Sequence, residues 1–412
     1  MSRLQPVRGT HDLLPDDYRR HRHVVDLGRR IAERYGYAEM ATPIFEFSDV
    51  FKRTLGEASD IVSKEMYTFV DKGGDEITLR PEGTAGIARA VISGGLQQNL
   101  PLKLYYSGPM FRYERPQKGR QRQFHQIGVE LLGVPEPEGD VETITLGARI
   151  LAELGVLDKT TLEINSLGDA PSRAAYRQAL VDYLSAHAPR LSEDSKARLQ
   201  RNPLRILDSK DAGDRTIIAD APPFSAFLND GSKAFFNAVC DGLAALGIAF
   251  TCNERLVRGL DYYCHTAFEF TTLALGAQGT VLAGGRYDGL VEMMGGAATP
   301  GVGWAAGIER LALLAGDAPP APRPIAVVPI GEAAERRAMV LTETLRRAGL
   351  SVDLAYRGNL ARRMKRANRV NARYAVIFGD DELGRGSAML RDLDQGAQEE
   401  VSLDALIGRL GP

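Results

Sequence analysis

The chain has 412 residues, 44% hydrophobic and 25% charged, with a formal net charge of -2. That is enough apolar material for two or three globular domains and excludes a disordered chain, and the balanced charge disfavours a protein that coats nucleic acid over its whole surface. No stretch approaches the roughly 18 apolar residues that span a bilayer and MSRLQPVRGTHD has no apolar signal core, so a soluble, cytoplasmic protein is expected.

Apolar residues at helical spacing predict a helix over 18–35, followed by strands over 67–69, 77–80, 103–111 and 124–133. With few short crossovers between these segments, an antiparallel sheet with helices packed on one side is expected rather than a doubly wound parallel one. Residues 170–249 are helix-rich and charged and read as an inserted helical domain. Strand patterning returns over 250–270 and 279–282, and a long helix is expected over 303–314.

GDAPPAPRP at 316–324 reads as an extended linker. Beyond it IAVVPI, a helix over 332–348, SVDLAY, a basic helix over 359–371 and YAVIFGD alternate strand and helix, predicting a small α/β domain with a largely parallel sheet. Residues 346–373 hold nine Lys or Arg against one acid, Asp353, an excess that favours a salt-sensitive contact with an RNA backbone. Cys240, Cys252 and Cys264 are odd in number and lack CxxC spacing, which fits reduced thiols.

The chemistry concentrates in YYSGPMFRYERPQKGRQRQFHQIGVELL at 105–132, two apolar strands joined by a loop with five basic residues and one Glu. Glu130 lies within the second strand, where an unpaired buried charge costs several kcal/mol, so it needs a partner. LVRGLDYYCHTAFEF at 256–270 and GVGWAAGIERLALL at 301–314 add Arg258 and Arg310 to Arg112. Guanidinium groups donate paired hydrogen bonds to phosphate oxygens, and a triphosphate needs several of them.

The FRYER string resembles motif 2 of class II aminoacyl-tRNA synthetases, residues 301–314 resemble motif 3, and RRIAERYGYAEMATPIFE around Pro43 resembles motif 1. RGLDYY at 258–263 and AGGRYDGL at 283–290 resemble the two peptides particular to the histidyl-tRNA synthetase family, with which RGTHDLLP and LRPEGTAG at 79–86 also fit. The resemblance spans nearly the whole chain. It implies an α+β fold: a class II antiparallel sheet flanked by helices in a catalytic domain at 1–323, a helical insertion at about 170–249, and a C-terminal α/β anticodon-binding domain at 325–412.

It also implies an activity, ligation of L-histidine to tRNA(His) with ATP accompanied by Mg2+, in a homodimer whose interface includes the motif 1 helix and strand. On this likeness Arg112 grips the α-phosphate, Arg258 faces it from the opposite side during in-line attack, and Arg310 holds the γ-phosphate. Glu82 and Thr84, which also suit a helix cap, receive the α-amino group together with Gln126. Glu130 with Tyr262 and Tyr263 reads the imidazole, and Tyr287 lies nearby.

Gly284, Gly285 and Gly307 are expected to serve steric roles, and His125 a structural one, because an ionised carboxylate nucleophile needs no protein base. His11, His21 and His23 form no recognisable metal cluster, and no protein-held metal is expected. The rival is the noncatalytic synthetase-like regulatory subunit of ATP phosphoribosyltransferase. It is disfavoured by the retained arginines and by residues 325–412.

Overall fold

Pro15, whose fixed φ suits a first helical turn, opens helix α1 (Pro15–Arg34), with Asp16 and Asp17 at the positive end of its dipole and Arg34 at the negative end. Val24, Leu27 and Ile31 recur at helical spacing and bury one face of α1 in the core. The computed structural model describes residues 4–56, 59, 61–116, 119–257, 262–276 and 279–411, the side chain of Asp208 excepted. They form two compact units, 1–318 and 319–412.

In the first unit α1 is followed by β1 (Ala38–Glu39), β2 (Phe45–Phe47), α2 (Ser48–Leu55), β3 (Tyr67–Val70), β4 (Glu76–Leu79), α3 (Thr84–Ser93), β5 (Leu102–Phe111) and β6 (Gln123–Leu132). Then come α4 (Pro137–Glu153), β7 (Thr161–Ser166), α5 (Ala170–Ala186), α6 (Glu193–Arg201), α7 (Ala212–Ala219), α8 (Asp230–Ala245) and β8 (Thr251–Cys252). The unit closes with β9 (Cys264–Thr271), β10 (Thr280–Arg286), α9 (Leu290–Met293), β11 (Gly301–Gly307) and α10 (Ile308–Ala315).

Eight strands form one sheet in the order β1-β5-β6-β11-β10-β9-β7-β8. Every pairing is antiparallel except the edge pairs β1–β5 and β7–β8. Side chains alternate between its faces: Tyr105 and Leu131 join the core formed with α1, α4, α8 and α10, while Leu104, Tyr106 and Leu132 face α2, α3 and α9. Helices therefore lie on both faces rather than one. The short ones cover only part of the second face, and the candidate site opens beside them.

The long helix expected over 303–314 is a strand and then a helix. β11 is flanked by β6 and β10, so its backbone groups are satisfied laterally, and the helix starts only at Ile308. Helices α5 and α7 with the short turns at 203–208 and 224–227 build a separate small core from Tyr176, Leu180, Leu184, Ile206, Ile217 and Phe224, against which Leu199 of α6 packs. Val239 and Leu243 of α8 instead join the main core, so the independent helical body ends before α8.

A three-stranded sheet, β2-β4-β3, stands apart from the main one. The register sets Phe45 opposite Leu79, and Phe47 and Phe69 on either side of Ile77, so these side chains share one face. Phe45, Phe47 and Phe69 are exposed.

The second unit contains β12 (Ile325–Ile330), α11 (Glu332–Arg347), β13 (Val352–Leu354), α12 (Leu360–Arg369), β14 (Tyr374–Gly379), α13 (Asp380–Gly384), β15 (Ser387–Asp392), β16 (Gln398–Ser402) and α14 (Leu406–Leu410). Its sheet order is β13-β12-β14-β15-β16, parallel over the first three strands and antiparallel over the last two pairings. The sheet is thus only half parallel. The β15–β16 hairpin escaped the sequence reading because its edge strand, QEEVS, is polar and mostly exposed. No helix among the described residues is long and apolar enough to cross a membrane.

Candidate active site

Strand β6 is paired on both sides, so Phe124, Gln126, Gly128 and Glu130 project onto one face at a period of two. Glu130 is 1% exposed. Room for it comes from its register partner Gly303, where any Cβ would collide with the carboxylate. Thr84 Oγ1 donates to Glu130 Oε1 at 2.7 Å, and Tyr287 Oη donates to Glu130 Oε2. Burial, reinforced by nearby Glu82, outweighs those two bonds and pushes the Glu130 carboxyl up to about 8.

Glu82 caps the start of α3, accepting from Thr84 N at 2.6 Å and Ala85 N at 2.9 Å. Burial still holds its carboxyl above the usual range, against the backbone bonds and the attraction of Arg112. Gly301 makes way for the Tyr287 ring and Gly285 for Tyr263, since a Cβ at either would strike that ring. Gly284 likewise abuts the β11 backbone. Gly307 does not fit the steric expectation, because a Cβ there meets only ordinary contacts with Arg310.

These residues surround one cavity of about 250 Å³, lined by Glu82, Thr84, Gln126, Tyr262, Tyr263, Arg112 and Arg310, with Phe124 and Arg120 on its wall. Glu130 and Tyr287 lie beneath this lining, reached through Thr84 and against the two tyrosines, whose rings are 5.7 Å and 6.4 Å from Tyr287. Among the described residues, buried Gln126 Oε1 and Tyr262 Oη lack a hydrogen-bond partner. Buried polar atoms left open in a cavity are suited to a polar ligand.

Arg112 is held by its Nε donating to the Pro81 carbonyl at 2.9 Å, with its guanidinium 5.3 Å from the Phe124 ring centre. Arg310 Nε donates to the Gly119 carbonyl at 3.1 Å and Nη1 to the Thr280 carbonyl at 2.5 Å. Burial and then repulsion from Arg120 and Arg112 lower the Arg310 pKa. Three guanidinium groups thus crowd one end of the cavity around the acid Glu114, which lies 2.6 Å from Arg120 Nε, an excess of positive charge that an anion relieves.

Arg258 lies outside the described residues. Every other sequence-predicted site residue is gathered at this cavity or directly beneath it. Phe124, Arg120, Glu114 and Tyr106 were not singled out from sequence. The period-two pattern ending at Glu130 points to Phe124, whereas Arg120 sits in a loop without a regular period. Arg286, beside Tyr287 in sequence, is fully buried and bonded to Asp140, Asp288 and two carbonyls, so it supports the strand rather than the cavity.

His125 has the structural partner expected of it: Glu309 accepts from the His125 backbone N at 3.0 Å, and Glu309 Oε1 lies 2.8 Å from His125 Nδ1. Burial raises the Glu309 carboxyl, but the His125 ring and backbone bonds prevail and leave it below the usual range. His21 packs edge-on against His125 with ring centres 4.6 Å apart.

Residues 9–311 match the family model for histidyl-tRNA synthetase and residues 324–411 that for an anticodon binding domain. The chain is 62% identical to a histidine–tRNA ligase of Rhodospirillum rubrum and 57% identical to one of Gluconacetobacter diazotrophicus, each comparison covering 98% of both chains. Its fold is similar to the crystal structure of apo histidyl-tRNA synthetase from S. aureus, with a TM-score of 0.84, 37% identity and 99% of both chains covered. Matched by the family model over 9–311 and by these relatives over nearly its whole length, the chain that carries this cavity belongs to the histidyl-tRNA synthetase family.

Proposed function

We infer that this chain is an aminoacyl-tRNA ligase that activates L-histidine with Mg·ATP and transfers it to the 3′ end of tRNA(His). The observation that carries this reading is the position of buried Glu130, bonded to Thr84 and Tyr287, beneath a cavity whose other end holds Arg112, Arg120 and Arg310. A zwitterionic amino acid with a basic ring and a triphosphate match those two ends.

In the first step the histidine carboxylate attacks the α-phosphorus of ATP, the bond to the β-phosphate oxygen breaks, and pyrophosphate leaves. Arg112 and Arg258 hold the α-phosphate as charge builds, and Arg310 holds the γ-phosphate. A terminal ribose hydroxyl of tRNA then attacks the adenylate carbonyl and releases AMP. Preorganised donors of this kind stabilise the transition state without reorganising. The Phe124 ring offers a flat apolar wall for a nucleobase.

The Thr84 hydroxyl proton is committed to Glu130, which leaves the Thr84 oxygen lone pairs, Glu82 and Gln126 Oε1 as acceptors for the substrate ammonium. The imidazole engages Glu130 and Tyr262 Oη. Glu130, protonated in the free site near neutral pH, shares its proton with the ring. An isostere without ring nitrogens leaves these buried groups unpaired, which is the basis of selection.

The exposed Phe45, Phe47 and Phe69 face supports a homodimer, since such apolar surface on a small sheet is costly in water. In the second unit Arg366 is paired bidentately with Asp353 and Arg363 is buried, so the RNA-facing charge falls to exposed Arg357, Arg362, Lys365 and Arg369, beside exposed Tyr356. Transfer of labelled histidine to purified tRNA tests the assignment. Charging of tRNA(His) alone is expected, whereas stimulation of a phosphoribosyltransferase without charging favours the regulatory rival.

A further inference from the structure

The geometry points to a transition-metal site, with Zn2+ as its best-matched ion, formed by His21 of α1, His125 of β6 and Glu309 of α10. One potential ligand atom from each residue lies within 4.8 Å of the other two. His21 Nε2 is buried and has no hydrogen-bond partner among the described residues. An imidazole nitrogen left open beside a second imidazole and a carboxylate is a donor arrangement rather than a packing need.

Two imidazoles and one carboxylate match the borderline first-row ions, and the set equals the three-ligand complement of zinc sites that keep a fourth position open. His21 and Glu309 also line a cavity of about 450 Å³, with His11 and Asp17 on the same wall, which offers solvent access for a fourth ligand. Mg2+ prefers an all-oxygen shell and is a poor competitor. Burial, with repulsion from His125, lowers the His21 pKa to about 4, so this ring is neutral and ready to ligate at neutral pH.

Zn2+ would take the place between His125 Nδ1 and Glu309 Oε1, which lie 2.8 Å apart, with the proton of the neutral His125 ring carried on its other nitrogen. Donor-to-metal distances of about 2.0–2.2 Å require a modest convergence of His21 on the other two. Because the ligands come from three sequence-distant elements, occupancy ties α1, β6 and α10 together and stabilises the fold.

The test titrates Co2+ and then Zn2+ into the full chain with excess Mg2+, reading the visible ligand-field bands of bound Co2+, stoichiometry by dialysis, and the thermal midpoint. One ion per chain is expected, with Zn2+ displacing Co2+ and a higher midpoint when loaded. His21→Phe should weaken binding by more than the roughly 10- to 100-fold lost with a mere supporting residue, while its metal-free midpoint stays near that of the parent. His21→Gln serves the same purpose if the Phe variant does not fold. Undiminished binding in a folded His21 variant overturns the site, as does loss of binding in Cys240→Ser or Cys252→Ser instead. These readouts do not depend on ligase activity, so they fail or succeed separately from the functional assignment.

Discussion

Thr84 Oγ1 donates to Glu130 Oε1 across 2.7 Å, joining the first residue of helix α3 to the C-terminal half of strand β6. One hydroxyl thereby couples the turn proposed to receive the substrate ammonium to the acid proposed to read its ring. Thr84→Val removes that bond at nearly constant volume and leaves a buried acceptor unsatisfied. Loss of about 1–3 kcal/mol of stability is expected, along with a higher KM for histidine in pyrophosphate exchange and little change in KM for ATP.

Glu130→Gln probes the energetics of the buried acid. A carboxyl whose folded-state value, about 8, exceeds its ordinary 4.5 binds more protons folded than unfolded between those values, so stability falls as pH rises through that window. The Gln variant should be more stable than the parent by roughly 3–5 kcal/mol at pH 9, with the difference vanishing towards pH 4. Denaturant melts across pH check this. A parent whose stability rises between pH 5 and 8 relative to the variant would contradict the burial argument.

On the proposed reading a productive complex carries one proton between Glu130 and the substrate ring, so kcat/KM for histidine should be bell-shaped. Its acid limb follows the free imidazole near about 6.5, and its basic limb follows Glu130 near 8. Rates of histidine-dependent exchange measured from pH 5.5 to 9.5 give both limbs. In Glu130→Gln the residual activity should lose the basic one.

Arg112→Ala, Arg258→Ala and Arg310→Ala should each lower kcat/KM for exchange by about 100- to 1000-fold. Arg310→Ala should not lower the thermal midpoint in proportion, because the half-buried side chain is disfavoured by desolvation and by the repulsion of Arg120 and Arg112, only partly offset by Glu114 and Glu309. Arg362→Glu with Lys365→Glu and Arg369→Glu should instead leave exchange intact. That triple change should weaken tRNA charging and flatten its salt dependence.

Phe47→Asp with Phe69→Asp places charge on the apolar face of the three-stranded sheet. Sedimentation should show the parent as a dimer and the variant as a monomer. A monomeric parent would rule out this face as an interface.

Regular structure was legible wherever period and burial agreed. Strands 102–111 and 123–132 fall within one residue of their predicted limits, because each alternates between two buried faces. β11 was misread: GVGWAAG carries no period-two polarity, being buried by strands on both sides, and its two alanines suit a helix. Residues named from motifs, Glu82 and Gln126 among them, line one cavity. The His21–His125–Glu309 cluster was not legible, since its members are 104 and 184 positions apart in the chain and only the α1–β6–α10 packing unites them.

Histidine-dependent exchange of labelled pyrophosphate into ATP, run against the other amino acids, tests the central claim most directly. Exchange with histidine, and at least about 100-fold less with an isosteric side chain lacking ring nitrogens, is the expected result. Folded protein that binds ATP yet exchanges with no amino acid, or exchanges equally well with an apolar one, would contradict it.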